Sequence, residues 1–271
     1  MITVKSRCTG EWSAEKLSPG KENRVENLKI LALDSSGLVA SVALAEDDNL
    51  IAEYTVQYKK THSQTLLPML QEIAKMVELD LSTVDAIAVA AGPGSFTGLR
   101  IGSATAKGLA FALEKPIVPV PTVDGLAYQM YGAAALVCPL MDARRNQVYT
   151  GIYEFVSASA DRHKYDMHII KEQCAVSFDD ICGELNRIDR DVIFLGDGVP
   201  VFRERMEELV KVPYTIAPLH CARQSAAAVA SLGRLYYEQG RAVDAAAHAP
   251  EYLRLSQAER ERAGKEREKP Q

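Results

Sequence analysis

The sequence lacks the residue spacings from which metal sites and disulfide frameworks are usually built. It has no Cys-x-x-Cys pair, and its cysteines are odd in number and widely scattered, which argues against a zinc ribbon or a disulfide frame. No His-x-x-x-His pair occurs, so the histidines cannot form a helical pair of metal ligands. This cysteine usage favours a reducing, cytoplasmic location. The residues concerned are Cys8, Cys138, Cys174, Cys182 and Cys221, with His62, His163, His168, His220 and His248.

Long apolar runs and basic blocks are also missing. No run reaches the roughly 18 apolar residues of a membrane span, and the N-terminus has no apolar core followed by a small-residue cleavage site. We therefore expect neither a membrane span nor a signal peptide. The net charge is -5, whereas a protein that binds nucleic acid on its own usually carries a basic face. Any contact with RNA is expected to depend on a partner.

What the sequence has is apolar content and one distinctive glycine-rich stretch. Hydrophobic residues make up 47% of the 271 residues, enough for one large domain or two lobes. Residues 88–102 read Ala-Val-Ala-Ala-Gly-Pro-Gly-Ser-Phe-Thr-Gly-Leu-Arg-Ile-Gly. The uninterrupted apolar run before the glycines predicts a buried central strand. A turn follows, and then a helix of small residues from Leu99 to about Glu114.

The glycine-rich turn has two interpretations. Gly92, Gly94 and Gly98 let the backbone approach a ligand closely, and the N–H groups of a helix start, capped by Ser95, favour a phosphate or another anion. Alternatively, the glycines only make a tight crossover from strand to helix. Neither the phosphate-loop signature nor the dinucleotide-binding signature is met, so this stretch alone leaves both interpretations open.

Strands and helices recur in the same order twice. In the first half, antiparallel strands over 28–34, 38–45 and 50–57 precede a helix over 63–78 and the central strand. The second half repeats this order, which predicts a weak internal duplication. Its elements are strands over 136–141, 147–155, 165–170, 191–195 and 214–217, and helices over 177–187, 201–210 and 225–239.

The pattern predicts two lobes between two polar ends. Residues 1–27 are polar and charged and are expected to be a disordered tail. The N-terminal lobe covers residues 28–121 and the C-terminal lobe 122–224. The last helix, 225–239, is free to pack back on the first lobe, and residues 254–271 form a mixed-charge tail.

The helix over 63–78 carries a broad apolar arc. Leu66, Leu70 and Ile73 form one stripe at helical spacing, and Leu67 widens it. Either the helix is deeply buried, or one side covers the sheet and the other meets a partner. The following helix has small side chains, including Ala104 and Gly108, which allow close approach of another helix.

Two aspartates end corresponding strands of the predicted lobes. Asp34 precedes Ser35 in the first lobe, and Asp142 ends the matching strand of the second. A carboxylate at the end of a strand can hold a metal, a water or a phosphate-bound magnesium, but it can also cap its own turn. Two sheets with acidic turns that face each other across a cleft are typical of the actin-like and sugar-kinase-like architecture, which fixes no function by itself.

Several stretches resemble the TsaB (YeaZ) family, the bacterial dimerisation subunits of the tRNA threonylcarbamoyladenosine machinery. The resemblance covers about Leu28 to Ser256. The run from Gly92 to Gly102 is its most specific part. The stretches are Ile30-Leu-Ala-Leu-Asp34-Ser-Ser, His62-Ser-x-x-Leu-Leu-Pro68, residues 89–102, Met141-Asp-Ala-Arg144 and Tyr252-Leu-Arg254.

The resemblance implies an α/β, actin-like (ribonuclease H-like) fold of two lobes, each a mixed sheet with flanking helices. It implies a protein that forms homodimers and pairs with the catalytic paralogue TsaD and the ATPase TsaE. The complex modifies the adenosine next to the anticodon, and this chain would meet tRNA only through the complex.

The resemblance also bears on catalysis. The catalytic paralogue carries a His-x-x-x-His metal motif after the corresponding strand, where this chain has Thr122 and Leu126. Neither side chain can replace an imidazole ligand. We therefore expect a subunit without catalytic or metal-binding residues.

Two sets of candidate residues result. The residues of the first set are candidates for weak binding of ATP or ADP, at the cleft between the lobes or at a subunit interface. The second set would form the interface with a partner. The first set is Asp34, Ser35, Gly92, Gly94, Ser95 and Gly98, and the second is Leu66, Leu67, Leu70, Ile73, Arg100, Ala104 and Gly108.

The alternative is an independent enzyme, either an ATP-dependent phosphotransferase or a glycoprotease-like peptidase. A phosphotransferase needs a catalytic base opposite the phosphates, and Asp142 is the only candidate in position. Residues 196–198, Gly-Asp-Gly, make a poor adenosine-binding turn because they lack paired glycines. A peptidase needs metal ligands or a nucleophile with its base, and no such set is visible. A stand-alone RNA-binding module fits least with the acidic charge.

Overall fold

The computed structural model describes residues 15–17, 27–58, 62–158, 161 and 163–254. Within them, eleven strands and six α-helices form two sheets with flanking helices. The strands are β1 (Glu15–Leu17), β2 (Lys29–Asp34), β3 (Ala40–Glu46), β4 (Asn49–Val56), β5 (Ala86–Gly92), β6 (Ile117–Pro121), β7 (Leu136–Asp142), β8 (Gln147–Ser157), β9 (Tyr165–Ser177), β10 (Val192–Leu195) and β11 (Tyr214–Ile216). The helices are α1 (His62–Met76), α2 (Phe96–Leu113), α3 (Thr122–Tyr128), α4 (Phe178–Ile188), α5 (Val199–Leu209) and α6 (Ala226–Glu238).

The first sheet has the strand order β4-β3-β2-β5-β6. Strands β2, β3 and β4 form an antiparallel meander, and β5 and β6 continue the sheet in parallel. Strand β5 is buried at every residue, which confirms the prediction of a central strand covered on both faces.

The second sheet repeats this plan. Its order is β1-β9-β8-β7-β10-β11. Apart from β1, if the strands of each sheet are numbered 1 to 5 along the chain, both sheets have the order 3-2-1-4-5. In both, the first three strands pair antiparallel and the last two pair in parallel. The predicted duplication is confirmed, and the architecture is the actin-like, ribonuclease H-like fold.

Five layers stack through the molecule, because each sheet buries both of its faces. Helices α1 and α2 cover the outer face of the first sheet, and α4 and α5 cover the outer face of the second. Helices α3 and α6 lie between the two sheets and share one apolar core with the inner faces of both. The two lobes are therefore joined by a common core.

A buried carboxylate links the two lobes inside this shared core. Asp124 of α3 accepts a hydrogen bond from the Tyr153 hydroxyl at 2.7 Å and another from the Tyr236 hydroxyl at 3.0 Å. The three residues belong to α3, β8 and α6. Burial beside the Asp124 charge raises the pKa of both tyrosines, so both hydroxyls act as donors.

Helix α6 packs on the inner face of the first sheet, and its sequence explains the close approach. Gly233 faces Ala88 of β5 so closely that a Cβ at position 233 would overlap the alanine methyl. Ser225 caps the helix by accepting from the N–H of Ala228, and the N–H of Ala226 donates to the hydroxyl of Ser41 at 2.9 Å.

The predicted element bounds differ from the structure mainly at β9. The sequence predicted a strand that ends at Ile170, but β9 continues to Ser177 and pairs with β8 along its length. The prediction was wrong because Lys171, Glu172 and Gln173 interrupt the apolar pattern, whereas hydrogen bonds to β8 carry the strand through them.

The two predicted tails lie almost entirely outside the described residues. Of residues 1–27, the structure describes Asn27 and the strand β1, which pairs antiparallel with β9. Of residues 254–271, it describes Arg254. Among the described residues, no helix combines the length and hydrophobicity needed to cross a bilayer.

Candidate functional site

The glycine-rich turn and the Asp34 turn meet at one edge of the first sheet. They follow β5 and β2, which are parallel neighbours. We call residues 34–37 the aspartate turn and residues 92–98 the glycine turn. The N–H of Ser95 donates to the carbonyl of Ser36 at 2.7 Å, and the Ser35 hydroxyl donates to the carbonyl of Gly98 at 2.9 Å. Parallel pairing of β2 with β5 thus brings the two turns together.

The glycines are required for contact with the chain itself. A Cβ on Gly94 would lie under 3.0 Å from the Ser36 carbonyl oxygen, and one on Gly98 equally close to the Ser35 carbonyl oxygen. Gly92 has a φ of +120° and faces the carbonyl of Glu251 at a similarly short distance. The close approaches that these glycines permit are therefore intramolecular. This favours the crossover interpretation over a cradle for an anion.

Ser95 has the local role that the sequence predicted for it. Its side chain accepts a hydrogen bond from the N–H of Gly98 at 3.3 Å and so caps helix α2. Because its own N–H donates to Ser36, the residue holds the aspartate turn and the helix start together.

The carboxylate of Asp34 caps its own turn. Its Oδ1 accepts from the Ser36 N–H at 2.8 Å and from the Ser36 hydroxyl at 2.6 Å. Only 2% of the residue is exposed, and burial raises its pKa to about 6, although the hydrogen bonds from Ser36 and the nearby His62 work in the opposite direction. Of the two roles that the sequence left open, the geometry supports the capping role.

Gln224 joins the aspartate turn from the segment that precedes α6. It is buried, and neither its Oε1 nor its Nε2 has a hydrogen-bond partner among the described residues. A Cβ on Gly37 would overlap the Gln224 amide. The Nε2 of His62 donates to the Gly37 carbonyl at 2.9 Å. Sequence reasoning missed Gln224, because only the fold brings it to residue 37.

The corresponding turn of the second lobe lies on the surface. Asp142 accepts from the N–H of Arg144 at 2.8 Å, and its Oδ2 lies 3.0 Å from the Arg144 guanidinium. The N–H of Asp142 donates to Asp197 at 3.1 Å, and burial raises the pKa of Asp197. Asp142 is thus engaged by its own turn, which does not favour the role of catalytic base.

The backbone after Asp142 is unusual. Arg144, Arg145 and Asn146 have φ values of 64°, 56° and 59°, a left-handed conformation that residues other than glycine rarely adopt. We call residues 144–146 the arginine turn. Sequence reasoning did not predict it, because no glycine marks these positions.

Residues 251–254, which we call the C-terminal segment, connect the two sets of turns. The N–H of Glu251 donates to the carbonyl of Ala91 at 2.7 Å, and the Tyr252 and Phe96 rings lie 4.9 Å apart. Arg254 donates to the carbonyls of Ala143 and Arg144. The segment therefore covers the glycine turn and reaches the arginine turn.

Thr122 and Leu126, the two positions compared above with a metal motif, make contacts within the chain. The Thr122 hydroxyl accepts a hydrogen bond from the N–H of Gly92 at 3.1 Å, so it fixes the end of β5. Leu126 is buried in the core between the sheets.

The structure divides the predicted interface set into two groups. Leu66, Leu70 and Ile73 are buried in the core between the first sheet and its outer helices, so they cannot provide an exposed surface. That part of the prediction is corrected, because a stripe at helical spacing marks an apolar face without showing what covers it. The other residues, Leu67, Arg100, Ala104 and Gly108, are exposed.

Phe111 extends the exposed group and was missed by the sequence reasoning. It is 83% exposed, and Leu67 is 53% exposed. Phe111 lies three residues after Gly108 and seven after Ala104, so helical spacing places all three on one face of α2. A Cβ on Gly108 would meet no atom within 4 Å. We call Leu67, Ala104, Gly108 and Phe111 the outer helix surface.

Comparison with known proteins gives a family model and several relatives. Residues 49–262 match the family model for TsaD, tRNA N6-adenosine threonylcarbamoyltransferase. The tRNA threonylcarbamoyladenosine biosynthesis protein TsaB of Bacillus subtilis is 33% identical over 86% of this chain and 96% of its own length. The TsaB protein of Haemophilus influenzae is 31% identical over 85% of this chain and 95% of its own.

A solved structure supports the same assignment. A Pseudomonas aeruginosa protein described as similar to peptidase YeaZ is 30% identical to this chain, with a TM-score of 0.70, and the match covers 84% of this chain and all of that one. With relatives above 30% identity along nearly their whole lengths, the chain belongs to the TsaB (YeaZ) family.

Proposed function

We propose that the chain is a non-catalytic partner subunit in the biosynthesis of threonylcarbamoyladenosine in tRNA. It pairs with the catalytic TsaD paralogue, recruits the TsaE ATPase and forms homodimers in their absence. The names of the Bacillus subtilis and Haemophilus influenzae relatives support the pathway.

The local chemistry supports a role without catalysis. The glycine turn is filled by contacts within the chain, and Asp34 and Asp142 each cap their own turns. At the metal-ligand positions of the catalytic paralogue, Thr122 and Leu126 serve the end of β5 and the core. Each of these groups has a structural use in the chain.

The outer helix surface is the observation that carries the partner role. Two large apolar side chains, Leu67 of α1 and Phe111 of α2, stand exposed, and helical spacing puts Phe111 on the same face as the small residues Ala104 and Gly108. Exposed apolar patches on a folded protein commonly mark interaction sites, and small residues let a partner helix approach closely. A stable contact of standard size buries about 800 Å² on each partner.

The substitution Gly108→Arg tests the partner role. The position has open space around it, so the variant is expected to fold, but the long charged side chain would separate two packed helices. The matched control is Gly183→Arg, because Gly183 of α4 is also an exposed helical glycine with no atom within 4 Å of its Cβ position. We expect Gly108→Arg to abolish co-elution with TsaD in size-exclusion chromatography and Gly183→Arg to leave it unchanged.

Activity provides the second measurement. Threonylcarbamoyl transfer to unmodified tRNA is assayed with TsaD and TsaE, with and without this chain, and with this chain alone. We expect transfer only when all three are present, and a loss with Gly108→Arg. Transfer or nucleotide turnover by this chain alone would contradict the non-catalytic role. Normal complex formation by Gly108→Arg would exclude the outer helix surface as the interface.

A further inference from the structure

The left-handed backbone of the arginine turn does not account for the presence of two arginines in it. Three consecutive residues are left-handed, a conformation that glycine adopts freely and asparagine tolerates. Asn146 fits this preference, but Arg144 and Arg145 do not. Glycine at either position would relieve the strain, so the arginine side chains themselves need an explanation.

The turn is held rigidly from several sides. Its first N–H, that of Arg144, donates to Asp142. Arg254 of the C-terminal segment donates to the Arg144 carbonyl at 3.4 Å and to the carbonyl before it. From α5, Arg205 donates to the side chain of Asn146. These contacts fix the backbone from which the two arginines project, so less conformational entropy is lost when a ligand binds them.

Both arginines are available to a partner. The Arg144 side chain is 85% exposed, although its guanidinium pairs with Asp142. Arg145 is exposed, and no ion-pair partner for it occurs among the described residues. Asp179, a further carboxylate at this edge, is paired with Arg205 at 2.6 Å. In a chain with a net charge of -5, the Arg145 charge at this edge is left without a carboxylate partner among the described residues, whereas Arg144 and Arg205 are each paired.

Aromatic rings continue this surface towards the first lobe. Tyr252 and Phe96 form a ring pair, and each is more than one-third exposed. Two residues after Tyr252, Arg254 contacts the arginine turn. Guanidinium groups bind phosphate oxygens, and aromatic rings stack with unpaired bases. A surface that offers both fits single-stranded nucleic acid better than an acidic protein, which would use only the charges.

We propose that the arginine turn and the Phe96–Tyr252 pair form a contact surface for an unpaired stretch of RNA. Arg144 and Arg145 bind phosphodiester oxygens, and the ring pair stacks with a base. This inference rests on the proposed function, because the acidic chain is brought to tRNA by its complex with TsaD.

The test measures the binding of labelled, unmodified tRNA to the complete complex over a range of salt concentrations. We expect Arg145→Glu to weaken binding about tenfold and to reduce the slope of log affinity against log salt by about one unit, since each lost phosphate contact removes roughly that much. Arg145→Lys keeps the charge and should retain most of the affinity. Tyr252→Leu should weaken binding severalfold with an unchanged slope, because stacking involves no counterion release.

The matched control is Arg187→Glu. Arg187 is also exposed but lies in the last turn of α4. The first residue of α4, Phe178, donates to the Asn146 carbonyl, so Arg187 is about 14 Å away along the helix. Equal losses for Arg145→Glu and Arg187→Glu would indicate a long-range charge effect and overturn the proposal. Unchanged binding and slope for Arg145→Glu would also overturn it. Assembly of each complex is checked by size exclusion, since failure of the wild-type chain to join TsaD would instead overturn the proposed function.

Discussion

The two lobes share an aspartate that caps the end of a strand, but its surroundings differ between them. In each, the first strand of the meander ends in an aspartate whose Oδ1 accepts a hydrogen bond at 2.8 Å from the N–H two residues later, that of Ser36 or of Arg144. Asp34 is 2% exposed, whereas the Asp142 side chain is 14% exposed and the Arg144 side chain paired with it is 85% exposed. A motif of this kind therefore does not define its own role, since its role depends on what covers it.

The neighbouring glycine-containing turn decides the difference. In the first lobe it reaches past the end of β2, because the Ser95 N–H donates to Ser36, two residues after Asp34. In the second lobe the N–H of Gly198 donates to Leu140, two residues before Asp142. Relative to the aspartate, the contact in the second lobe lies four residues earlier than the contact in the first lobe. The glycine-containing turn of the second lobe therefore does not cover the arginine turn.

The largest effect is expected where the two turns of the first lobe touch. In Gly98→Ala, the added methyl would collide with the Ser35 carbonyl, a backbone atom that cannot rotate away. We expect the free energy of unfolding to fall by about 3 kcal/mol, the upper end of the usual cost of an overpacked core. Gly183→Ala, in open space on α4, should instead stabilise by about 0.5 to 1 kcal/mol. Urea unfolding measures both, and a harmless Gly98→Ala would show that the turns can separate.

The buried carboxylate gives the next effect, which depends on pH. Burial raises the pKa of Asp34 to about 6, so the folded state binds this proton more tightly than the unfolded chain, and ionisation destabilises the fold. This destabilisation by ionised Asp34 is absent below about pH 4 and complete above about pH 6. Relative to wild type, Asp34→Asn should therefore gain about 2 to 3 kcal/mol between these pH values.

Asp142→Asn is the matched variant for this titration. It makes the same change at the corresponding position of the second lobe and leaves Asp34 intact, so the pH dependence that comes from Asp34 should remain. Unfolding by urea at a series of pH values from 4 to 7 compares all three proteins. Parallel curves for wild type and Asp34→Asn would mean that Asp34 is not desolvated in solution.

The smallest effect is expected at Arg254. Arg254→Ala removes the donors to the Ala143 and Arg144 carbonyls, and we expect a loss of about 1 kcal/mol in the free energy of unfolding. Backbone amide exchange should rise more in the arginine turn, whose carbonyls accept from Arg254, than in the aspartate turn. Arg187→Ala serves as the control, and equal exchange in both variants would show that the turn keeps its shape without Arg254.

The fold was largely predictable, because its elements depend on local patterns. The apolar run into Asp34, the continuous run into Gly92 and the repeated strand order each carry a periodic signal. The same signal failed at Leu70 and Ile73, where helical spacing identified an apolar face but gave no information on whether protein or solvent lies against it. Burial is a property of the assembled sheet.

The site was less predictable, because its contacts are made by backbone atoms distant in sequence. Glu251 donates its N–H to Ala91, and its carbonyl faces Gly92, neither of which any side-chain pattern encodes. The left-handed turn at Arg144 and Arg145 contains no glycine, so the sequence does not indicate it. Gln224 meets Gly37 only after α6 has packed between the sheets.

The C-terminal segment has a consequence for motion. Many two-lobed enzymes work by a hinge, in which the lobes rotate to admit a ligand and close over it. Here residues 251–254 contact Ala91 and Phe96 in one lobe and Ala143 and Arg144 in the other, and rotation would break these contacts. The chain is expected to behave as a single rigid body, which offers its partners a surface of constant shape while conformational change takes place in them.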